Sequence, residues 1–406
     1  MLADAPASPV EDSGPRDGHG DVLRILHVIT TLDTGGAERM LAKLVRAQRG
    51  VGWPVVVVVL ATRGVIADDI EAAGARVVSL GLARGRVPGL NVIGRLADVI
   101  LETRPDIVQS WMYHADLIAG LAARRVGHRA VVWGIRNTIE TVNTSARLSR
   151  AVFHACRLLS GRLAARVVAN SHRAADQHVD AGYPAATMRV VPNGFELDRF
   201  VPDALRRAAV RRAWQVLDDE PVVGLVARHH PQKDTAGFLA AAAKLVERHP
   251  SARIVVAGPG QVVDAADIAA ACRSHPELAA RLLCLGEQRD VAALLDGLDV
   301  FVLASAYGEG FPNALGEAMA MAKACVVTDT GDCAEIVGTA GRVVRPRDPG
   351  ALADALGEVL ALDEAARRAI GTDARARVVA LYGMPAIRDA FGAIYDDVLA
   401  ATRGPR

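Results

Sequence analysis

Val300-Phe-Val-Leu-Ala-Ser-Ala-Tyr-Gly-Glu309-Gly-Phe-Pro-Asn-Ala-Leu-Gly-Glu317-Ala-Met-Ala-Met-Ala322 is the stretch that decides the fold. The apolar run Val300–Ala304 reads as a buried strand. The run Ala314–Ala322 is built of strong helix formers. Between them Gly310, Pro312 and Asn313 mark a turn. Strand, turn and helix start together form a cradle for an anion, because the first amides of a helix are free and its dipole favours negative charge there. Two carboxylates flank the cradle, Glu309 in the turn and Glu317 in the first or second helical turn. A phosphate repels a carboxylate at that distance, so these groups are better suited to accept hydrogen bonds from sugar hydroxyls. Acidic residues at helix starts are common because they complement the dipole. The pair counts through its strand–turn–helix context, and that context suggests a nucleotide-sugar site.

The same alternation extends outward from this stretch. Valine-rich apolar runs occur at 23–30, 55–61, 75–80, 106–111, 130–135, 166–169 and 188–191, then at 222–227, 253–257, 282–285, 300–303, 324–328 and 341–344. They are apolar on both faces, as strands covered on two sides by helices must be. Segments of helical length separate them, for example 38–48 and 90–102. Strand–helix–strand repetition implies parallel sheets with right-handed crossovers. Two such series imply an α/β chain of two doubly wound, Rossmann-like domains facing a cleft. Its break lies after Pro192-Asn-Gly194. The expected division is an arm at 1–20, a first domain at 21–198, a second at 199–384 and a terminal amphipathic helix at 385–406. Ligands of such sheets bind at the carboxyl ends of the strands, so the cleft is the site.

Composition bounds the rest. At 406 residues the chain suits two domains better than one core. A net charge of +1 gives no global case for nucleic acid. Five cysteines without Cys-x-x-Cys spacing argue for a reducing compartment and against zinc. Apolar runs are too short to span a bilayer, so a cytoplasmic protein is expected. Residues 1–20 are rich in Pro, Gly, Ala, Ser and Asp, which suggests a disordered arm and no signal peptide.

Further candidates stand at strand ends. Arg228 and Lys233 leave the run 222–227 five residues apart and can grip one diphosphate, the first as a donor fork and the second as a mobile charge. His229 and His230 have no partner at metal spacing, and no metal site is assigned. Gly35 and Gly36 let a backbone approach a ligand at a helix start. Their setting is not the Gly-x-Gly-x-x-Gly fingerprint, so a nicotinamide cofactor is unsupported. His114, after the run 106–111, can bond a transferring sugar or an acceptor hydroxyl through a neutral imidazole. Arg136 and Asn137 end the run 130–135. From Ser145 to Arg173 there are six arginines and no acid, with Leu148, Val152, Ala155, Leu159 and Leu163 at helical spacing. That stretch is either a face resting on anionic lipid or a core helix with a solvated basic side.

Residues 309–320 resemble the signature of retaining glycosyltransferases of the GT-B fold, family four, which build bacterial cell-envelope and polysaccharide glycans. The resemblance continues through Val326-Val-Thr-Asp329 and Glu335. It implies a metal-independent transfer, with retained anomeric configuration, from a UDP- or GDP-sugar to a hydroxyl acceptor, either free or lipid-linked. It implies no further cofactor and a terminal helix that crosses back onto the first domain. Catalytic roles then fall to His114, Arg228, Lys233 and Glu309. Gly258, Gly260, Gly286, Gly310, Phe311, Pro312, Asn313 and Glu317 would hold the donor. Gly35, Gly36, Arg136 and Asn137 would line the acceptor side. Two departures stand out. Ala322-Lys-Ala324 replaces the family's Gly-x-Pro, and Gln109 or Ser110 replaces an earlier histidine of the His114 loop. The alternatives are a nucleotide-sugar epimerase and a non-catalytic sugar-nucleotide-binding protein on the same frame. An epimerase would not need the Glu309–Glu317 arrangement, and a pure binder would not give the slow hydrolysis of a UDP- or GDP-sugar expected of a transferase.

Overall fold

The computed structural model describes residues 22–403, apart from 34, 62, 83–89, 140, 141 and 143–145. The expected arm at 1–20 lies outside the described residues. Every apolar run named above forms a strand. The first sheet holds β1 Ile25–Ile29, β2 Val55–Val59, β3 Arg76–Ser79, β4 Ile107–Trp111, β5 Val131–Ile135, β6 Arg166–Ala169 and β7 Met188–Val190, in the order β3-β2-β1-β4-β5-β6-β7. The second holds β8 Val222–Val226, β9 Arg253–Ala257, β10 Leu282–Gly286, β11 Val300–Leu303, β12 Ala324–Thr328 and β13 Gly341–Val344, in the order β10-β9-β8-β11-β12-β13. All pairings are parallel. Strands β1, β4 and β5 are buried at every residue, and where they carry polar side chains these are bonded within the core, His27 to Gln48 Oε1 at 3.0 Å and Ser110 Oγ to Asp116 Oδ1 at 2.6 Å.

Each sheet is covered on both sides, giving two apolar clusters per lobe. The terminal helix Met384–Arg403 belongs to the first lobe. Its Ile387, Phe391, Tyr395 and Val398 pack with β1 and β2 residues, and the Tyr395 hydroxyl donates to Gln109 Oε1 at 2.8 Å. The chain crosses between lobes twice, side by side. The Phe195 amide donates to the Tyr382 carbonyl at 2.8 Å, and the Met384 amide donates to the Phe195 carbonyl at 3.2 Å.

In both sheets the strand order reverses once, between β1 and β4 and between β8 and β11. Such a reversal opens a crevice at the carboxyl ends of the strands. No helix among the described residues is long and apolar enough to cross a membrane.

Candidate active site

A cavity of about 500 Å³ lies between the lobes, lined by Gly36, Ala37 and Glu38 after β1, Met112 after β4, Arg136–Thr138 after β5, Asn170 after β6 and Asn193 after β7. The second lobe contributes Arg228, Gln232 and Lys233 after β8 and Gly308–Phe311 with Asn313 after β11. All of these follow the carboxyl ends of strands, so both reversals open onto one space.

The turn after β11 is held from several sides. Glu309, which is 6% exposed, accepts from Ser305 Oγ at 2.5 Å and is ion-paired with Lys233 through Oε1. Gln232 Nε2 donates to the Gly308 carbonyl at 2.9 Å. The helix Asn313–Ala320 follows with Pro312 at its cap and no side-chain bond to its first amides, and the Leu315 amide turns back to the Pro312 carbonyl at 3.2 Å. Gly316 lets this helix sit on Phe195, because a Cβ there would stand 2.0 Å from the ring. Phe311 lines the cavity, while its ring packs between Phe195 and Tyr382, with centroids 6.0 and 5.2 Å away. Arg228 is exposed at the same wall.

Glu317, four residues into that helix, is outside the cavity lining. Burial raises its pKa, opposed by Lys43, Arg199 and Arg39, so it looks toward the first-lobe helix Gly36–Gly50, which carries Lys43 and Arg39. Gly258, Gly260 and Gly286 end β9 and β10 on the same edge, each at positive φ, and they too are outside the lining. So are Gly35 and Pro312. His114 is half-buried, with its imidazole pKa lowered by burial, and is not among the lining residues. Met112, two positions earlier, is. Its backbone stands at φ 73°, ψ 153°, a region that costs a non-glycine residue about 1–3 kcal/mol. The turn starts the helix Tyr113–Arg125 and sends Tyr113 into the core, where its hydroxyl meets His178 Nε2 at 2.8 Å.

The histidines after β8 have local partners. His229 Nε2 lies 2.8 Å from Asp267 Oδ1, and His230 Nδ1 accepts from the Gln232 amide at 3.2 Å. Among the described residues no three His, Cys, Asp or Glu side chains gather where a metal ion could be held.

The two walls are tied together. Asn193 Nδ2 donates to Asn313 Oδ1 at 2.9 Å. Asp332, after β12, accepts from the amides of His172 and Arg173 at 2.6 and 3.0 Å. These are the first two amides of the first-lobe helix His172–Asp180, whose own cap Ser171 takes the Ala174 amide. The Asp332 amide donates to the Gly310 carbonyl at 3.2 Å. Gly331 is required beside it, since a Cβ would stand 2.2 Å from the Glu309 carbonyl oxygen.

Sequence reading did not single out Met112, Thr138, Asn170, Asn193, Gln232 or Asp332. Their common signal is position, just past a strand that ends on the cleft.

Comparison with known proteins agrees with this fold. A family model described as "Glycosyltransferase Family 4" matches residues 34–199, and one described as "Glycosyl transferases group 1" matches residues 220–361. The putative glycosyltransferase EpsF of Bacillus subtilis is 29% identical over 318 residues, covering 76% of this chain and 79% of that protein. The UDP-Gal:alpha-D-GlcNAc-diphosphoundecaprenol alpha-1,3-galactosyltransferase of Escherichia coli is 24% identical, covering 58% of this chain and 60% of its own. The crystal structure of Anabaena HepE in complex with UDP superposes with a TM-score of 0.80 at 20% identity, over 92% of this chain and 100% of that one. The chain belongs to the family 4, group 1 glycosyltransferases of the GT-B fold.

Proposed function

We propose that this protein moves a sugar from a UDP- or GDP-sugar to a hydroxyl acceptor of a cell-surface polysaccharide or glycolipid, with retention and without a metal. The observation that carries the reading is the juxtaposition of Arg228 and the Lys233–Glu309 ion pair on one cavity wall between the two lobes. Two cations at that point suit the diphosphate of the donor and the charge that grows on it as it leaves. Glu309 suits the hydroxyls of the transferring sugar, Glu317 the ribose, and the Gly310–Asn313 amides the sugar and phosphate. Gly258, Gly260 and Gly286 suit the nucleoside end, with His114 and Asn137 toward the acceptor. UDP in the HepE structure and the diphosphoundecaprenol acceptor of the Escherichia coli relative are consistent with this assignment.

In this reading the acceptor enters past Gly36. The bond from the anomeric carbon to the diphosphate oxygen breaks, the acceptor oxygen bonds that carbon from the same face, and the acceptor proton passes to the leaving phosphate oxygen. Closed lobes exclude water and limit donor hydrolysis.

The same reading has the enzyme working in the cytoplasm at the inner face of the membrane. The helix Arg147–Leu163 buries Val152, Phe153, Cys156, Ser160 and Leu163. Its other side presents Arg147, Arg150, His154, Arg162 and a 70% exposed Leu158. A second cavity of about 560 Å³ continues from Arg162 to Arg124, His128 and Arg129, with no carboxylate in its lining. A basic, partly apolar face of this kind suits anionic lipid. Flotation with phosphatidylglycerol vesicles tests it, and no binding at low salt ends the membrane part.

A thermal-shift panel of UDP- and GDP-sugars tests the donor assignment, since a ligand of the native state raises the melting point. The stabilising donor is then used for turnover in EDTA, with the product anomer read by NMR. Retained configuration and undiminished turnover are expected. Inversion, or loss of turnover in EDTA, overturns the corresponding part.

A further inference from the structure

The side-chain amide of Asn313 is turned by the opposite lobe. A carboxamide has a donor end and an acceptor end of nearly the same shape, and the hydrogen-bond partner at one end decides which end faces a ligand. For Asn313 that partner belongs to a chain of two bonds that starts in the first-lobe core. Arg136 ends β5 and is 9% exposed. Its guanidinium lies over Trp111 and Phe391, 4.4 and 5.7 Å from the ring centroids, and its Nε and Nη2 are buried without a hydrogen-bond partner. The rings hold the group in place, and a guanidinium can only donate. Nη1 donates to Asn193 Oδ1 at 3.3 Å. Asn193 therefore keeps its Nδ2 for the second lobe and donates it to Asn313 Oδ1 at 2.9 Å. With its oxygen so engaged, Asn313 has Nδ2 as the end left for the cavity, which all three residues line.

That end lies between the donor's place and the acceptor's. Asn313 is the first residue of its helix and shares the lining with Arg228 and Lys233. Its Nδ2 stands 3.8 Å from where a Cβ on Gly36 would be, so the glycine keeps open the space beside it. The carboxylate of Glu38, in the same lining, is folded against Gly35 and accepts from Thr31 Oγ1 at 3.1 Å. A phosphate oxygen can only accept, so an N–H turned to it forms a bond and a carbonyl turned to it repels it. A sugar hydroxyl donates as well as accepts and has no use for a fixed polarity. Of a donor's two phosphates, the one that bears the sugar lies nearer the first lobe.

We infer that Arg136 and Asn193 are positioning residues for the donor that act across the cleft: they fix the Asn313 amide so that its Nδ2 donates to an oxygen of the sugar-bearing phosphate. This rests on the donor occupying the second-lobe wall. Two first-lobe residues then tune donor binding without touching the donor, and they do so only when the lobes are close enough for Asn193 to reach Asn313.

The test is calorimetric titration of UDP against UMP, and of GDP against GMP, into wild type and variants, because the ratio of diphosphate to monophosphate affinity isolates the second phosphate. Asn193→Asp still accepts from Arg136, which meets its charge, and stays tied to Asn313 only if the Asn313 amide turns over and presents its carbonyl to the cavity. Every bond of the chain survives in that variant, yet its ratio is expected to fall at least about tenfold. Asn313→Leu adds no charge and removes the donor, and its ratio is expected to fall at least about fivefold. Asn193→Leu is expected to lower the ratio alone and to cost nothing further in an Asn313→Leu background, since it acts through that residue. Monophosphate affinity is expected to stay within about twofold in each variant, whereas a merely structural tie between the lobes would lower both affinities together. An unchanged ratio in Asn193→Asp, equal losses of monophosphate and diphosphate affinity in it, or additive losses in the double leucine variant would each overturn the assignment. If neither UDP nor GDP binds wild type, the donor reading itself fails. A diphosphate that binds wild type and every variant with the same ratio defeats this inference alone.

Discussion

Lys233 and Glu309 meet as an ion pair across the point where the strand order of the second sheet reverses. Lys233 comes from the turn after β8 and Glu309 from the turn after β11, and their side chains are 17% and 7% exposed. Each neutralises the other. A diphosphate that takes Lys233 frees the carboxylate to accept from sugar hydroxyls, so one ion pair prepares both halves of a nucleotide-sugar contact.

That pairing sets a stability pattern. Lys233→Met leaves Glu309 buried with Ser305 Oγ as its hydrogen-bond donor and should cost roughly 3–5 kcal/mol, the range for breaking a buried pair. Adding Glu309→Gln should return most of the loss, because the orphaned charge is gone. Urea denaturation of the two single variants and the double variant measures the coupling. Additive losses would contradict the pair.

Asp332 should hold the lobes closed. In Asp332→Ala the two amides of the His172–Asp180 helix lose their acceptor, and the radius of gyration should rise above that of wild type, near the roughly 22 Å of a compact chain of this length. His172→Pro removes one of those amides at a helix position that favours proline, and the preceding Ser171 is already extended at φ −158°, ψ 153°. It should open the lobes by a smaller amount. Small-angle scattering curves indistinguishable from wild type would rule out the latch.

Asp116 links stability to pH. Burial raises its pKa from 3.8 to about 7. The folded protein therefore holds this proton more tightly than the unfolded chain. Stability falls as pH rises through the window from about 4 to 7. Asp116→Asn keeps an oxygen to accept from Ser110 and Gly134 but cannot ionise. It should gain on wild type by roughly 2–4 kcal/mol between pH 4 and pH 8. A pH-independent difference in denaturation free energy would contradict the assignment.

Ala322 occupies a left-handed position, φ 54°, at the end of the helix Asn313–Ala320. The next residue, Lys323, is 8% exposed and donates to the carbonyls of Asp296 and Leu298 at 3.3 and 3.1 Å. The turn is tight despite the missing glycine, and the Cβ bears the strain. Ala322→Gly should therefore stabilise the protein by about 1 kcal/mol, readable as a higher melting point. A lower one would show that the methyl group contributes packing instead.

Much of this architecture is legible in the amino-acid sequence itself. Strands covered on both sides are mostly apolar, so Val55–Val59 and Val300–Leu303 announce themselves. Glu309, Gly310 and Asn313 were legible because strand, turn and helix follow one another in sequence. Asn193 and Asp332 were not, because partners of both lie across the cleft and no local spacing encodes a lobe-to-lobe contact. Arg136 was visible as a strand-end cation, but its idle donors depend on burial beneath Trp111 and Phe391, which the fold alone creates. His114 was legible as a histidine just after β4, whereas the left-handed turn at Met112, which puts Met112 itself in the cavity lining, was not.

The central claim is that a nucleoside diphosphate binds at Arg228 and Lys233. Calorimetric titration of UDP and GDP, in EDTA, into wild type and Lys233→Met tests it most directly. One nucleotide should bind wild type with about micromolar affinity, and Lys233→Met should weaken it by at least about 30-fold. Equal affinity in the two proteins, or no binding of either nucleotide, would contradict the account.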